Sequence, residues 1–179
     1  AIWCARHYVK DEAVAVLLAD DLIKPEKGGK GCLKQMVEAW QNTGGNMVAA
    51  MEVPRENTAS YGIITPGASH ASLTEVKGLV EKPSPEKAPS TLAVVGRYIL
   101  EPGVFAELDR MERGTGDEIQ ITDSLARRIG EAPFFSYQFS GTRFDCGSKL
   151  GFLQANVAYA LSRDDLGRDI TTWLKGLTL

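Results

Sequence analysis

Two aspartates far apart in the chain each stand where an apolar run gives way to polar residues. Asp20 ends Ala13-Val14-Ala15-Val16-Leu17-Leu18-Ala19, and Asp145 follows Arg143-Phe144 and precedes Cys146-Gly147-Ser148-Lys149. Between them Val80-Glu81-Lys82-Pro83 closes a further apolar segment with a charged pair. Two carboxylates and a lysine raised to the rim of one sheet suit magnesium-dependent phosphoryl or nucleotidyl transfer. Mg²⁺ takes only one or two protein carboxylates and fills its shell with water and substrate phosphate. A lysine at a strand end reaches phosphate as a mobile point charge. Two carboxylates aimed at one point repel unless a cation lies between them. Taken singly, each residue reads as well as a loop or cap aspartate or an exposed ion pair. Asp21 is read in that way, as a turn residue or a support for its neighbour.

These residues need strands to carry them. Ala13 to Ala19 reads as a short buried strand, Cys32 to Gln41 as a helix with apolar positions three and four apart, and Asn46 to Val53 as the next strand. Strand, crossover helix and strand imply a parallel pair and an α/β sheet, whose ligands bind outside the carboxyl ends of the strands. Gly44-Gly45 stops the helix. Tyr61 to Ile64 and Leu73 to Val80 read as β structure separated by a turn at Pro66 to Ser69. Thr91 to Leu100 is another strand, and Phe134 to Phe139 and Thr142 to Phe144 are short ones. Further helices are expected over Ile2 to Val9, Val104 to Met111, Ile121 to Ile129, Lys149 to Leu161 and Asp169 to Leu177. The polar run Thr122-Asp123-Ser124 offers caps for the helix near Ile121. The acidic stretch from Asp117 to Asp123 reads as structural, because negative charge suits a helix start. Gly62 and Gly96 lie within β runs, where glycine marks either packing or close approach of backbone to a ligand.

The bulk numbers narrow the class. A length of 179 residues, 44% hydrophobic and 24% charged, suits one globular domain spanning the whole chain, 1–179. The net charge of −3 gives no support for a nucleic-acid partner, which usually demands a basic excess. No apolar run approaches a membrane span. Cys4, Cys32 and Cys146 fit neither a disulfide framework nor a zinc site, so the cytoplasm is the expected compartment. Cys146 beside Asp145 has no histidine in a local motif, so a buried structural role is expected for it rather than nucleophilic catalysis.

In several blocks the chain resembles the bacterial UTP–glucose-1-phosphate uridylyltransferases, also called UDP-glucose pyrophosphorylases. They are Leu17-Leu18-Ala19-Asp20-Asp21, Tyr61-Gly62-Ile63, Val76 to Pro83, Leu92 to Leu100, Gly116 to Asp123 and Phe144 to Phe152. They fall in the family's order. The resemblance implies a Rossmann-like α/β fold of the nucleotide-diphospho-sugar transferase type, a mixed central sheet flanked by helices. It implies UTP and glucose 1-phosphate as substrates, UDP-glucose and pyrophosphate as products, and Mg²⁺ as cofactor. Position by position it assigns Asp20 and Asp145 to the metal, Lys82 to the sugar phosphate, Glu81 to glucose hydroxyls and Gly62 to a sugar contact through its backbone. Gly96 is a looser match.

The family's opening strand and glycine-rich phosphate loop have no counterpart here. Lys27 to Gly31 falls after Asp20 and does not match that loop. The expectation is therefore a fold incomplete at its N-terminus, inactive by itself, and a homo-oligomer when complete. A dTTP-using glucose-1-phosphate enzyme and a non-catalytic nucleotide-sugar binding module are the alternatives.

Overall fold

The computed structural model describes residues 1–113 and 117–177. The expected Gly116 lies outside the described residues. By its contacts the chain divides into two compact units: Ala1–Leu17 with Cys32–Phe139, and Leu18–Gly31 with Ser140–Leu179.

The larger unit is built on a six-stranded sheet. Its strands are β1 (Val14–Leu17), β3 (Asn46–Glu52), β4 (Gly62–His70), β5 (Leu73–Glu81), β6 (Leu92–Leu100) and β7 (Phe134–Gln138), in the order β1-β6-β3-β7-β5-β4. Its helices are α1 (Cys32–Thr43), α2 (Gly103–Asp109) and α3 (Ile121–Arg127). β3 and β7 run parallel, and the other pairings are antiparallel, so the sheet is mixed as expected. β6 is buried at every position, because it is paired by β1 on one side and β3 on the other and reads Leu-Ala-Val-Val-Gly-Arg-Tyr-Ile-Leu. Val48, Ile64, Val76, Leu100, Val104 and Leu125 share one cluster that includes strands and helices alike. Gly44 and Gly45 end α1 with φ of 61° and 72°. A Cβ at Gly45 would fall 2.0 Å from the Pro133 carbonyl oxygen, so only glycine fits.

Several expectations are corrected. Ala13 to Ala19 shrinks to the four residues of β1, an edge strand and not a buried one. β1 has a neighbour only on the β6 side, and its residues alternate between half-buried and exposed because successive side chains point to opposite faces of the sheet. β1 and β3 are not partners either, since β6 lies between them, antiparallel to both. The Pro66 to Ser69 turn is instead an irregular stretch of β4, with register shifts on either side of Pro66, which has no backbone N–H to give to a ladder. The hairpin turns at Ala71-Ser72, with Ala71 at φ 51°. Ile2 to Val9 is a single 3₁₀ turn at Ile2–Ala5 followed by loose turns. Trp3 holds it by donating to Asp109 Oδ1 at 2.6 Å, and the Arg6 guanidinium lies 3.4 Å over the Trp3 ring.

The smaller unit is an antiparallel ribbon of β2 (Asp21–Lys24) and β8 (Thr142–Asp145), with α4 (Lys149–Leu161) and α5 (Gly167–Gly176). β2 falls where only a strand end and a loop were expected. The expected apolar face of α4 exists, but Leu150 and Leu153 are 66% and 61% exposed while Gly151 and Ala155 are buried. Spacing fixes which residues share a helix face; it does not say what that face meets. Among the described residues no helix is long and apolar enough to cross a membrane.

Candidate functional site

The carboxylates come first. Asp20 immediately precedes β2 and Asp145 is the last residue of β8, and the register sets Asp21 opposite Asp145. Cys146 N–H donates to the Asp20 carbonyl at 2.7 Å, continuing the ladder past the last pair. The expectation of one rim for all three charged residues is therefore corrected. Asp20 and Asp145 stand on the ribbon, whereas Lys82 follows β5 of the six-stranded sheet. The ribbon forms because the chain leaves β1 at Leu18 and resumes pairing with β8 alone.

Gly147 binds the two carboxylates into one arrangement. A Cβ built there would lie 3.1 Å from Asp145 Oδ1 and 3.4 Å from Asp20 Oδ2, so both oxygens converge on the space beside this glycine. Gly147 N–H also donates to Asp145 Oδ1 at 3.1 Å, which fixes the rotamer. Behind it the Asp145 carbonyl accepts from Ser148 Oγ at 3.0 Å, and Ser148 Oγ accepts from Gly151 N–H at 3.0 Å, capping α4. Both aspartates are exposed, so the pair is open to a ligand.

The donor set fits a hard divalent cation: two carboxylates, no nitrogen or sulfur ligand, and room for phosphate and water oxygens. Among the described residues no cluster of three or more such ligands exists, so the set suits an ion that substrate completes rather than a closed protein cage. Asp21 is buried and bonded to Arg143, so its charge is spent within the ribbon. That agrees with the supporting role read from the sequence.

Glu81, Lys82 and Gly62 gather in the larger unit. Gly62 is paired with Glu81 across β4 and β5, and Lys82 N–H donates to the Tyr61 carbonyl at 2.9 Å. Pro83 predicts an extended Lys82, yet Lys82 has φ 47°, in the left-handed region. This turn brings Lys82 Nζ to 3.7 Å from Glu81 Oε1, although adjacent residues of a regular strand face opposite ways. Such a backbone is strained for a residue with a Cβ, and strain of this kind clusters at ligand clamps. The Glu81 side chain is 8% exposed and that of Lys82 50%, which leaves a mobile ammonium beside a held carboxylate. A Cβ at Gly62 would lie 3.2 Å from Glu81 Oε2 and 3.2 Å from Thr122 Oγ1, so glycine keeps that space open.

Gly96 lies where the β3–β6 register steps from Val48↔Tyr98 to Ala49↔Val95, a bulge on β6. The bulge explains a glycine in this strand without a ligand. Arg97, buried beside it, donates to the Gly96 carbonyl at 2.7 Å.

Cys146 is half-buried rather than buried, and it borders a hollow of about 400 Å³ lined also by Leu22, Phe152 and Tyr159. Neither Asp20 nor Asp145 lines this hollow. Its one guanidinium, Arg163, is taken by Asp165 at 2.6 and 2.8 Å, a hydrogen bond that holds the Asp165 carboxyl below its usual range. Sequence reasoning missed Thr122 and the double contact at Gly147. A threonine within a polar helix start carries no distinguishing pattern, and a glycine after Asp-Cys reads only as a turn.

The chain is 50% identical over 150 residues to a UTP--glucose-1-phosphate uridylyltransferase of Komagataeibacter xylinus, covering 84% of this chain and 52% of that protein. It is 38% identical over 177 residues to the Bacillus subtilis protein of the same name, covering 99% of this chain and 60% of the relative. The chain thus spans little more than half the length of these relatives. Among solved structures, a UDP-glucose pyrophosphorylase complexed with UDP-glucose matches with a TM-score of 0.85 at 40% identity, over 90% of this chain and 61% of that one. A UTP-bound enzyme from Acinetobacter baumannii matches at 0.88 and 32%, over 99% of this chain and 61% of that one. Residues 1–162 match the nucleotidyl transferase family model, a span that takes in the mixed sheet, the ribbon and Asp20, Gly62, Glu81, Lys82, Thr122, Asp145 and Gly147, and the chain belongs to that family.

Proposed function

We propose that this chain is the part of a UTP–glucose-1-phosphate uridylyltransferase that holds the sugar phosphate and the metal-binding carboxylates, and that residues 1–179 serve as one catalytic domain. The observation that carries the reading is the convergence of Asp20 and Asp145 on Gly147, in a chain 50% identical over 150 residues to an enzyme of that name.

In the proposed reaction an oxygen of glucose 1-phosphate forms a bond to the α-phosphorus of UTP. The bond from that phosphorus to the bridging oxygen breaks, and pyrophosphate leaves with the electron pair. Both reactants are anions, so the protein's task is to position them and offset charge. Lys82 holds the sugar phosphate as a counter-charge on a flexible stem. Glu81 accepts hydrogen bonds from glucose hydroxyls, and Gly62 lets the sugar approach the backbone. Asp20 and Asp145 would hold Mg²⁺, which when bound supplies charge neutralisation at the phosphates. Gly96 is given no sugar contact in this reading, because the bulge on β6 accounts for it. No nucleophilic side chain is required.

The three free cysteines suit a reducing compartment, and we place the protein in the cytoplasm. The exposed Trp173 and Leu177 of the C-terminal segment support self-association of the complete protein. The reading is tested by assaying nucleotide-sugar formation with the product of the full reading frame and its Asp20→Asn and Asp145→Asn variants. Turnover with UTP and glucose 1-phosphate that either variant lowers at least about 100-fold bears it out. Turnover untouched by both variants overturns it.

A further inference from the structure

We propose that Thr122 is a specificity residue of the sugar site, binding one sugar hydroxyl together with Glu81. The inference rests on the sugar-phosphate reading above and adds to it a residue and a chemical role. Its basis is the space in front of Gly62. A Cβ at that position would meet Glu81 Oε2 at 3.2 Å and Thr122 Oγ1 and Cγ2 at 3.2 Å each. A carboxylate oxygen and a hydroxyl therefore flank the same point, one from β5 and one from the first turn of α3, and glycine is what keeps the point clear.

The two groups are complementary toward a third. A carboxylate only accepts hydrogen bonds, whereas a threonine hydroxyl both donates and accepts. A ligand hydroxyl between them donates to Glu81 and accepts from Thr122, using its one proton and one of its two lone pairs. A ligand methyl or hydrogen at that place leaves both protein groups unsatisfied, and sites of this kind discriminate strongly against the analogue that lacks the hydroxyl.

Thr122 has no structural duty that uses its hydroxyl. The residue is 6% exposed, yet its side chain forms no hydrogen bond with a described residue. It does not cap α3 either. Gln120 occupies the cap position without a side-chain capping bond, and Ser124 is the residue that returns a hydroxyl to the Gln120 carbonyl, at 3.2 Å. Among the described residues the one buried side-chain polar atom without a partner is Arg128 Nε, so the unbonded Thr122 hydroxyl keeps access to solvent or to a ligand. Beside a carboxylate whose nearest cation sits 3.7 Å from its other oxygen, it is placed for a polar ligand.

The test is calorimetric titration of the full reading-frame product with α-D-glucose 1-phosphate and its 2-, 3-, 4- and 6-deoxy analogues. Thr122→Val removes the hydroxyl at nearly constant shape, and Thr122→Ser keeps it. Valine should weaken glucose 1-phosphate roughly tenfold and serine by no more than about threefold. One deoxy analogue should bind the unaltered protein as weakly as glucose 1-phosphate binds the valine variant, and valine should not weaken it further. Should valine fail to fold, Thr122→Ala against Thr122→Ser carries the same comparison. Unchanged affinity in the valine variant overturns the role of Thr122 alone, as does equal weakening across every analogue. Absence of glucose 1-phosphate binding by the unaltered protein overturns the sugar-phosphate reading and this inference with it.

Discussion

Asp145 is fixed from three directions at once. Its backbone ends the β8 ladder, its carbonyl takes the Ser148 hydroxyl, and its Oδ1 takes the Gly147 N–H. That leaves little freedom for the carboxylate, so the empty side of Gly147 becomes the adjustable element. Gly147→Ala should push a methyl against Asp145 Oδ1 and Asp20 Oδ2, with backbone conformation unaffected. Mg²⁺ or Mn²⁺ affinity should fall by about tenfold, while thermal stability moves by less than about 0.5 kcal/mol. Calorimetric metal titration beside a denaturation curve checks both. Gly62→Ala should act in the same manner on the sugar, crowding Glu81 and Thr122 and raising KM for glucose 1-phosphate more than it lowers kcat. A proportional loss of kcat alone would argue against a ground-state sugar contact. The identity of the acidic and basic residues was legible from the sequence because each closes an apolar run. The glycine and threonine that shape the space between them were not, since neither type signals what stands opposite it.

At the level of elements, the ribbon of β2 and β8 deserves to be read as the device that holds the carboxylates. It is only four residues long on each side, and Asp21 bonded to Arg143 is its buried polar link. Their side chains are 7% and 14% exposed. Removing one partner strands the other charge, so Asp21→Ala should destabilise the smaller unit by roughly 3 kcal/mol. A urea titration followed by the fluorescence of Trp173, the single tryptophan of that unit, measures it. If Arg143→Met in the same chain recovers much of the loss, the stranded charge is the cause. A loss that persists would assign it to packing instead. The ribbon was not readable from the sequence. Asp-Leu-Ile-Lys is too short to show a period, and its pairing with residues more than a hundred positions later is a tertiary decision. β6 was readable almost to the residue, because eight of its nine positions are non-polar or aromatic, Arg97 being the exception, and a run so bounded by a Pro/Ser loop and Pro102 admits few other readings. β1 was found but misjudged. An apolar run shows that a strand is present, but not how many neighbours it has.

At the scale of the whole molecule, the class was fixed by ordered blocks rather than by composition, which excluded more than it indicated. The mixed sheet, the strand-end carboxylates and the lysine after β5 all follow from those blocks, and the family match over residues 1–162 agrees with them. The division into two compact units did not follow, since the Pro/Gly-rich stretch Pro25 to Gly31 marks one place where the chain passes between them, while Leu17-Leu18 lies inside an apolar run and carries no such signal. Both aspartates are exposed and no larger ligand cluster exists among the described residues, so a cation held there would be completed by substrate and would not be expected to hold the fold together. Chelation should therefore abolish turnover while leaving the far-ultraviolet circular dichroism spectrum and the melting temperature unchanged. A melting temperature that drops on chelation would give the metal a structural part instead.

The most direct measurement is nucleotide-sugar formation by the product of the full reading frame with Mg²⁺, a panel of nucleoside triphosphates, and glucose, galactose and N-acetylglucosamine 1-phosphates. The expected result is a clear preference for UTP with glucose 1-phosphate, lost in Asp20→Asn and in Asp145→Asn. A folded protein that turns over no pair, yet binds a nucleotide sugar, would contradict it and make the chain a binding module.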